Sequence, residues 1–323
     1  MKTDGFFAIG PKEWAKACEL GLNPAVALLV LARGSGRDNI TTAWSAEAVA
    51  NRTGMAWRRA KAAIAALEEA KLAVIAKTGA RPVRKLTIPK KLDSALWLPN
   101  TLVDGAASEA PPVTRLRQAQ NPEHLQAFIE MYGLQDLAGD GGLPRSLVRA
   151  PFDRDRIADT GQFIVWGFTR KNARHCWNVG PLARFANRKV GKDSAAWECL
   201  LALERMGLLQ TVDYLTEGES PDAELLHPLT GDADADKVRD AALALCDATP
   251  EWVGHRAEQY DYTLPVIRDF PAPTVVGVSR LVYRPHTNLT AAWWAQHRDT
   301  CERFTAIYSA LAQGDFQQAA KVG

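Results

Sequence analysis

Arg58, Arg59 and Lys61 stand within four positions of one another, and Lys77, Arg81, Arg84 and Lys85 follow closely. A guanidinium can pair bidentately with the O6 and N7 edge of guanine, and any of these cations can neutralise a phosphate. Thr53, Met55, Ala56 and Trp57 come just before, with groups suited to bases, thymine methyls or phosphate. A second basic set is Arg170, Lys171, Arg174, Arg184, Arg188, Lys189 and Lys192. The chemistry these residues suggest is noncovalent grip on a polyanion. A solvated basic helix face with a basic hairpin is the plainer alternative.

Covalent chemistry finds less support. The six histidines (124, 175, 227, 255, 286, 297) form no HxH or HExxH pair, and the chain has no GxxxxGK[ST] loop and no GxSxG elbow. Cysteines 18, 176, 199, 246 and 301 show no CxxC pair and no zinc-ligand spacing. His175 and Cys176 are adjacent, but a nucleophile and its base need proximity in space, not in sequence. Asp232, Asp234 and Asp236 alternate without the rest of a calcium loop. The sequence therefore predicts no catalytic residues, no metal, no cofactor and no small-molecule substrate.

The chain has 323 residues, room for two or three domains, and its 47% apolar content is enough for ordinary cores. Scattered cysteines in odd number suit reduced thiols. MKTDGFFAIGPKEW lacks the apolar run of a signal peptide, and no apolar run reaches membrane-span length, so a cytoplasmic, nucleoid-associated protein is expected. Net charge is only +2, but charge is segregated. Residues 52–91 carry eleven Lys or Arg against two acids, and residues 145–192 carry eleven against three. Residues 198–258 carry four against fourteen. Surfaces of opposite sign imply different partners.

The elements that must position the cations are repeated. Residues 48–72 and 184–208 align without a gap at an offset of 136, with eight of twenty-five positions identical. Ala50-Asn51-Arg52 falls on Ala186-Asn187-Arg188, Ala66-Leu67-Glu68 on Ala202-Leu203-Glu204, and Leu72 on Leu208. Each copy reads as helix, turn, helix and apolar strand. In the first, Ser45 caps a helix over 46–52, Gly54 turns the chain, and a second helix runs over 56–71. Ala60, Ala63, Ile64, Leu67 and Ala70 share one face of that helix, away from Arg58, Arg59 and Lys61. Strands over 72–76 and 85–88 then flank a loop at 77–84. Helices over 11–20 and 25–33 and a short strand over 40–44 precede this pair.

That order resembles the winged helix-turn-helix superfamily, and the residues WSAEAVANRTGMAWRRAKAAIAALEEAKLAVI carry the resemblance. It implies that the second helix enters the major groove of duplex DNA while the hairpin touches phosphate. The resemblance covers about the first 90 residues. Two such units on one chain are similar to plasmid and phage replication initiators, and they equally suit a transcriptional regulator of a mobile element. Trp57 has two readings, contact with a sugar or thymine methyl, or packing in the module's own core.

The expected fold is mainly α with small β wings (α+β), in three parts. Residues 1–93 form a first winged-helix module and 94–215 a second. Residues 216–323 form an acidic linker and a C-terminal α/β accessory region that offers a homodimer seam. In the second module, 105–120 reads as a linker, 122–132 and 143–149 as helices, and 162–169 and 175–179 as apolar runs. Its helix pair falls at 181–187 and 193–206, followed by a strand at 208–215. Trp57-Arg58-Arg59 is replaced there by Asp193-Ser194-Ala195, and Glu217, Glu219, Asp222 and Glu224 make its wing acidic. The second copy thus either grips backbone through the upstream cations or has become a protein interface. The first partner expected is double-stranded DNA; the competing class is a protein-interaction scaffold.

Overall fold

The computed structural model describes residues 5–79, 82–88, 94–106, 109–171, 175–176, 194–229, 232–249, 259–284 and 287–322. The chain divides into two compact units built from interleaved segments. The first is Met1–Gln135, Val179–Leu209 and Leu281–Pro285; the second is Asp136–Asn178, Gln210–Arg280 and His286–Gly323. The expectation of a mainly α fold is overturned: the chain is 44% helix and 25% strand, with a curled antiparallel sheet, a mixed α+β class. The discrepancy arises largely at residues 148–170 and 209–281, where strands pair with partners far away in sequence. Local propensity carries little of that information.

In the first unit, β1 (Phe6–Ile9) leads into α1 (Pro11–Glu19), which has proline in its first turn, and α2 (Leu22–Arg33). Every residue of α2 from Pro24 to Ala32 is buried, as expected for a helix that is apolar all round. It packs against α1, α3 (Ala46–Thr53) and α4 (Trp57–Glu69). Ser45 holds the N-cap position of α3 without a side-chain cap bond. Gly54 ends α3 at φ 65°, the left-handed region that glycine enters at little cost. α4 buries Ala60, Ala63, Ile64 and Leu67. β2 (Thr41–Thr42), β3 (Ala73–Lys77) and β4 (Val83–Leu86) form an antiparallel sheet in the order β2-β4-β3.

β5 (Leu96–Pro99) pairs antiparallel with β1 in a two-stranded ribbon. α5 (Thr101–Asp104), α6 (Pro112–Gln118) and α7 (Pro122–Met131) follow. α6 corrects the expected linker at 105–120. Its side chains close the C-terminus of α3: Thr114 Oγ1 donates to the Arg52 carbonyl (2.8 Å) and Arg117 Nε to the Thr53 carbonyl (2.8 Å). These carbonyls have no partner within their own helix, and cationic donors suit the negative end of its dipole.

α8 (Ser194–Arg205) also lies in the first unit, and it reproduces the end of α4 at the sequence offset. Lys71 (φ 60°) and Gly207 (φ 64°) both adopt the left-handed conformation. Leu72 N–H donates to the Leu67 carbonyl at 2.9 Å, and Leu208 N–H to the Leu203 carbonyl at 2.9 Å. Lys71 N–H bonds Glu68 as Gly207 N–H bonds Glu204. Both ends are Schellman caps. The Leu72 carbonyl then accepts from Thr87 N–H, and the Leu208 carbonyl from Val282 N–H. Lys71 holds this conformation without glycine's freedom, so Lys71→Gly is expected to stabilise the protein by about 0.5–1 kcal/mol, and Gly207→Ala to destabilise it by about 1 kcal/mol. Urea unfolding midpoints check both.

The second unit is built on the order β10-β9-β12-β6-β7-β11, with β8 pairing β6. Its strands are β6 (Val148–Asp159), β7 (Phe163–Arg170), β8 (His175–Cys176), β9 (Leu209–Thr216), β10 (Leu225–Pro228), β11 (Tyr262–Ile267) and β12 (Thr274–Leu281). Residues 143–149, expected to be a helix, are a turn running into β6; β10 lies near the start of the 216–323 part, where an acidic linker was expected. α9 (Asp232–Asp247), α10 (Asn288–Ala312) and α11 (Phe316–Val322) complete the unit. Ile307, Tyr308 and Leu311 of α10 are buried in a core with Phe163, Phe168, Leu264 and Ala241, so much of the aromatic face of this helix serves packing. Both units place the latest strand of a trio in the middle, β4 between β2 and β3, and β12 between β6 and β9.

Candidate nucleic-acid interface

α4 exposes one continuous face. Its buried residues 60, 63, 64 and 67 leave Arg58, Ala62, Ala65 and Glu69 on the opposite side, at spacings of four, three and four. Arg59 flanks that stripe on one side and Trp57 and Lys61 on the other. Trp57 is 57% exposed, which rules out the reading that it packs in the module's core. The Lys61 ammonium lies over the Trp57 ring, 5.4 Å from its centre, one helical turn away. No side chain caps the first turn of α4, where Ala56 is the N-cap and is itself exposed.

Lys77 on β3 and Lys85 on β4 are exposed on the hairpin that follows. Among the described residues, Arg58, Arg59, Lys61, Lys77 and Lys85 have no carboxylate partner. Five cations from one helix and one hairpin of the same unit are thus available to an external anion.

Three expected contacts are corrected. Thr53 is fully buried: its hydroxyl donates to the Val49 carbonyl (2.6 Å) and accepts from Met55 N–H (3.2 Å), closing the turn at Gly54. Met55 is 3% exposed and belongs to the core. Arg84 is 8% exposed, and its Nε donates to Glu68 Oε1 at 2.7 Å, tying β4 to α4. Its Nη1 is buried without a hydrogen-bond partner. The Glu68 carboxylate four residues beyond Ile64 was visible in sequence, but its cross-element pairing with Arg84 was not. Arg84→Ala is expected to cost about 1.5–3 kcal/mol, the range for a hydrogen bond to a charged group. Chemical denaturation measures it, and base preference in any DNA complex should stay unchanged.

Arg52, shared by both sequence copies, is also engaged. Its guanidinium lies 3.6 Å from the centre of the Trp44 ring, and its Nε is 3.6 Å from Asp104 Oδ1. Arg33 Nε donates to Asp104 Oδ2 at 2.7 Å. Trp44 in turn fits over Gly34, where any side chain would collide with the indole.

Of the second basic set, Arg170 and Lys171 lie among the described residues, and each is paired with a carboxylate. Arg170 belongs to the second unit, and its guanidinium pairs with Asp213, which is 2% exposed and also accepts from Tyr262 Oη (2.7 Å). Burial, and then the Asp213 carboxylate, push the Tyr262 phenol well above its ordinary range. Lys171 Nζ pairs with Asp153 at 2.7 Å on the surface. The Arg170 side chain on β7 is thus tied to Asp213 on β9 and is withdrawn as a phosphate contact. Arg81, Arg174, Arg184, Arg188, Lys189 and Lys192 lie outside the described residues, as does the helix expected at 181–187.

The sequence reading overlooked Ala62 and Ala65, although their spacing from Arg58 signalled a shared face. On α8 the residues at the same offset are Trp197 for Lys61, Glu198 for Ala62 and Leu201 for Ala65. Glu198 is exposed, and Trp197 and Leu201 are half-buried. That surface is apolar and acidic where α4 is small and basic.

Among the described residues there is no group of three His, Cys, Asp or Glu placed to hold a metal ion, and no helix is long and apolar enough to cross a membrane. Comparison of the chain with protein families, with curated proteins and with solved structures finds no match.

Proposed function

We propose that this protein binds double-stranded DNA sequence-specifically through a winged helix-turn-helix in its first unit. α4 is the reading helix, α3 and the Gly54 turn support it, and the β3–β4 hairpin is the wing. The observation that carries this reading is the exposed, carboxylate-free set Arg58, Arg59, Lys61, Lys77 and Lys85, held on one helix and one adjoining hairpin. A major groove admits a helix of this kind, arginines near its start pair with base edges, and hairpin lysines need only find phosphate. The uncapped first turn of α4 adds a partial positive charge suited to a phosphate. The protein acts by binding, as a transcriptional regulator or replication initiator of a bacterial mobile element or phage.

Sequencing of fragments bound from genomic and random duplex pools tests the proposal. A replication initiator enriches tandem direct repeats; a regulator enriches a palindrome over a promoter. Enrichment of no duplex refutes both.

The second copy favours a different surface role. Trp197, Glu198 and Leu201 on α8 suit a protein partner better than a polyanion. On this second reading the α8 face is a protein contact. Glu198→Lys would then leave DNA affinity unchanged while weakening association with that partner.

A further inference from the structure

The outermost stripe of α4 has an unusual composition for a surface this basic. Between Arg58 and Glu69 it carries only Ala62 and Ala65, both exposed, and Trp57 adds an exposed indole at the N-terminal end of the same helix. Alanine has no polar group to read a hydrogen-bonding edge. Its short side chain instead lets the helix axis come close to whatever faces it. The major groove offers one apolar feature, the C5-methyl group of thymine.

We infer that α4 reads thymine methyl groups through Ala62 and Ala65, with Trp57 covering a sugar at the helix start. This rests on the duplex-DNA reading above and names what that helix recognises. Arg58 then sets the register by pairing with a guanine, and the two alanines specify thymines one and two helical turns further along. Glu69, last on the stripe, suits the N4 donor of a cytosine. The site in this account is a guanine followed by thymines, not an all-GC sequence.

The test uses the full chain and random-core duplexes prepared in parallel with thymidine or with deoxyuridine, which lacks only the methyl. Burying one methyl is worth about a fourfold change in affinity, so losing two costs about fifteenfold. Expected is enrichment of thymine-containing sites, with binding about fourfold weaker when uracil replaces thymine at either of two positions, about fifteenfold weaker at both, and no change elsewhere. In the double variant Ala62→Gln/Ala65→Gln, which keeps good helix formers at both positions, the thymine-to-uracil ratio should fall to about one. Equal affinity for thymine and uracil sites overturns the methyl inference and leaves the DNA reading intact. Persistence of the ratio in the glutamine variant overturns the assignment to these two residues. Retention of neither pool at low salt overturns the DNA reading itself.

Discussion

The double variant Arg58→Ala/Arg59→Ala is expected to lose both affinity and base preference while staying folded. Each arginine that reaches a base edge is worth about 1–3 kcal/mol of discrimination, so losing the pair costs from about thirtyfold to about twenty-thousandfold on the preferred site. Random duplex should be bound with a smaller loss, because the phosphate contacts of Lys77 and Lys85 survive. Both arginines are exposed and have no carboxylate partner, so their removal should move unfolding stability by no more than about 0.5 kcal/mol. Fluorescence anisotropy on preferred and random duplexes, beside a urea melt, separates these effects. Lys77→Ala provides the contrast: it should weaken all sequences alike and lower the salt slope by about one.

The largest expected effect on stability lies elsewhere. Arg280 and Asp140 are 4% and 5% exposed, and the Asp140 Oδ2 accepts from Arg280 Nε at 3.0 Å and Nη2 at 2.5 Å. The same guanidinium bonds the Tyr214 hydroxyl and lies 5.2 Å from the centre of the Trp294 ring. Asp140→Ala leaves a buried guanidinium without its counter-charge. Breaking one partner of a buried pair costs about 3–5 kcal/mol, whereas replacing both by apolar side chains of similar volume can be close to neutral. Asp140→Ala should therefore unfold the second unit at markedly lower urea, and Asp140→Leu/Arg280→Met should recover much of the loss. A loss as large in the double variant would place the energy in packing rather than in the uncompensated charge.

How much of this was legible in sequence depended on how local the signal was. The helices over 46–52 and 56–71, the turn at Gly54 and the strands flanking 77–84 matched α3, α4 and the β3–β4 hairpin to within two residues. Glycine and the three-and-four spacing of apolar residues act within a few positions. β6 was missed because Asp153, Arg154, Asp155 and Arg156 make a charged run in its middle, and the partners that make it a strand come from β7, β8 and β12. α6 was hidden in a segment rich in alanine, serine and proline, and its Arg117 acts on a helix end more than sixty residues away.

The candidate site divides the same way. Basic residues on α4 and the hairpin were readable from their positions. The loss of Arg84 to Glu68 and of Arg170 to Asp213 was not, because each pair joins separate elements. Thr53 and Met55 were misplaced for a related reason: a helix-turn-helix corner is so tight that the residues nearest the turn are used to close it.

The measurement that bears most directly on the central claim is a salt titration of the full chain against duplex DNA selected from a random pool, run beside Arg58→Ala/Arg59→Ala. The account predicts an enriched site bound at about 50 mM salt, with affinity falling by about two orders of magnitude or more by about 200 mM, and preference for that site lost in the variant. No duplex bound even at the lowest salt, or a preferred site bound equally well by the variant, would contradict it.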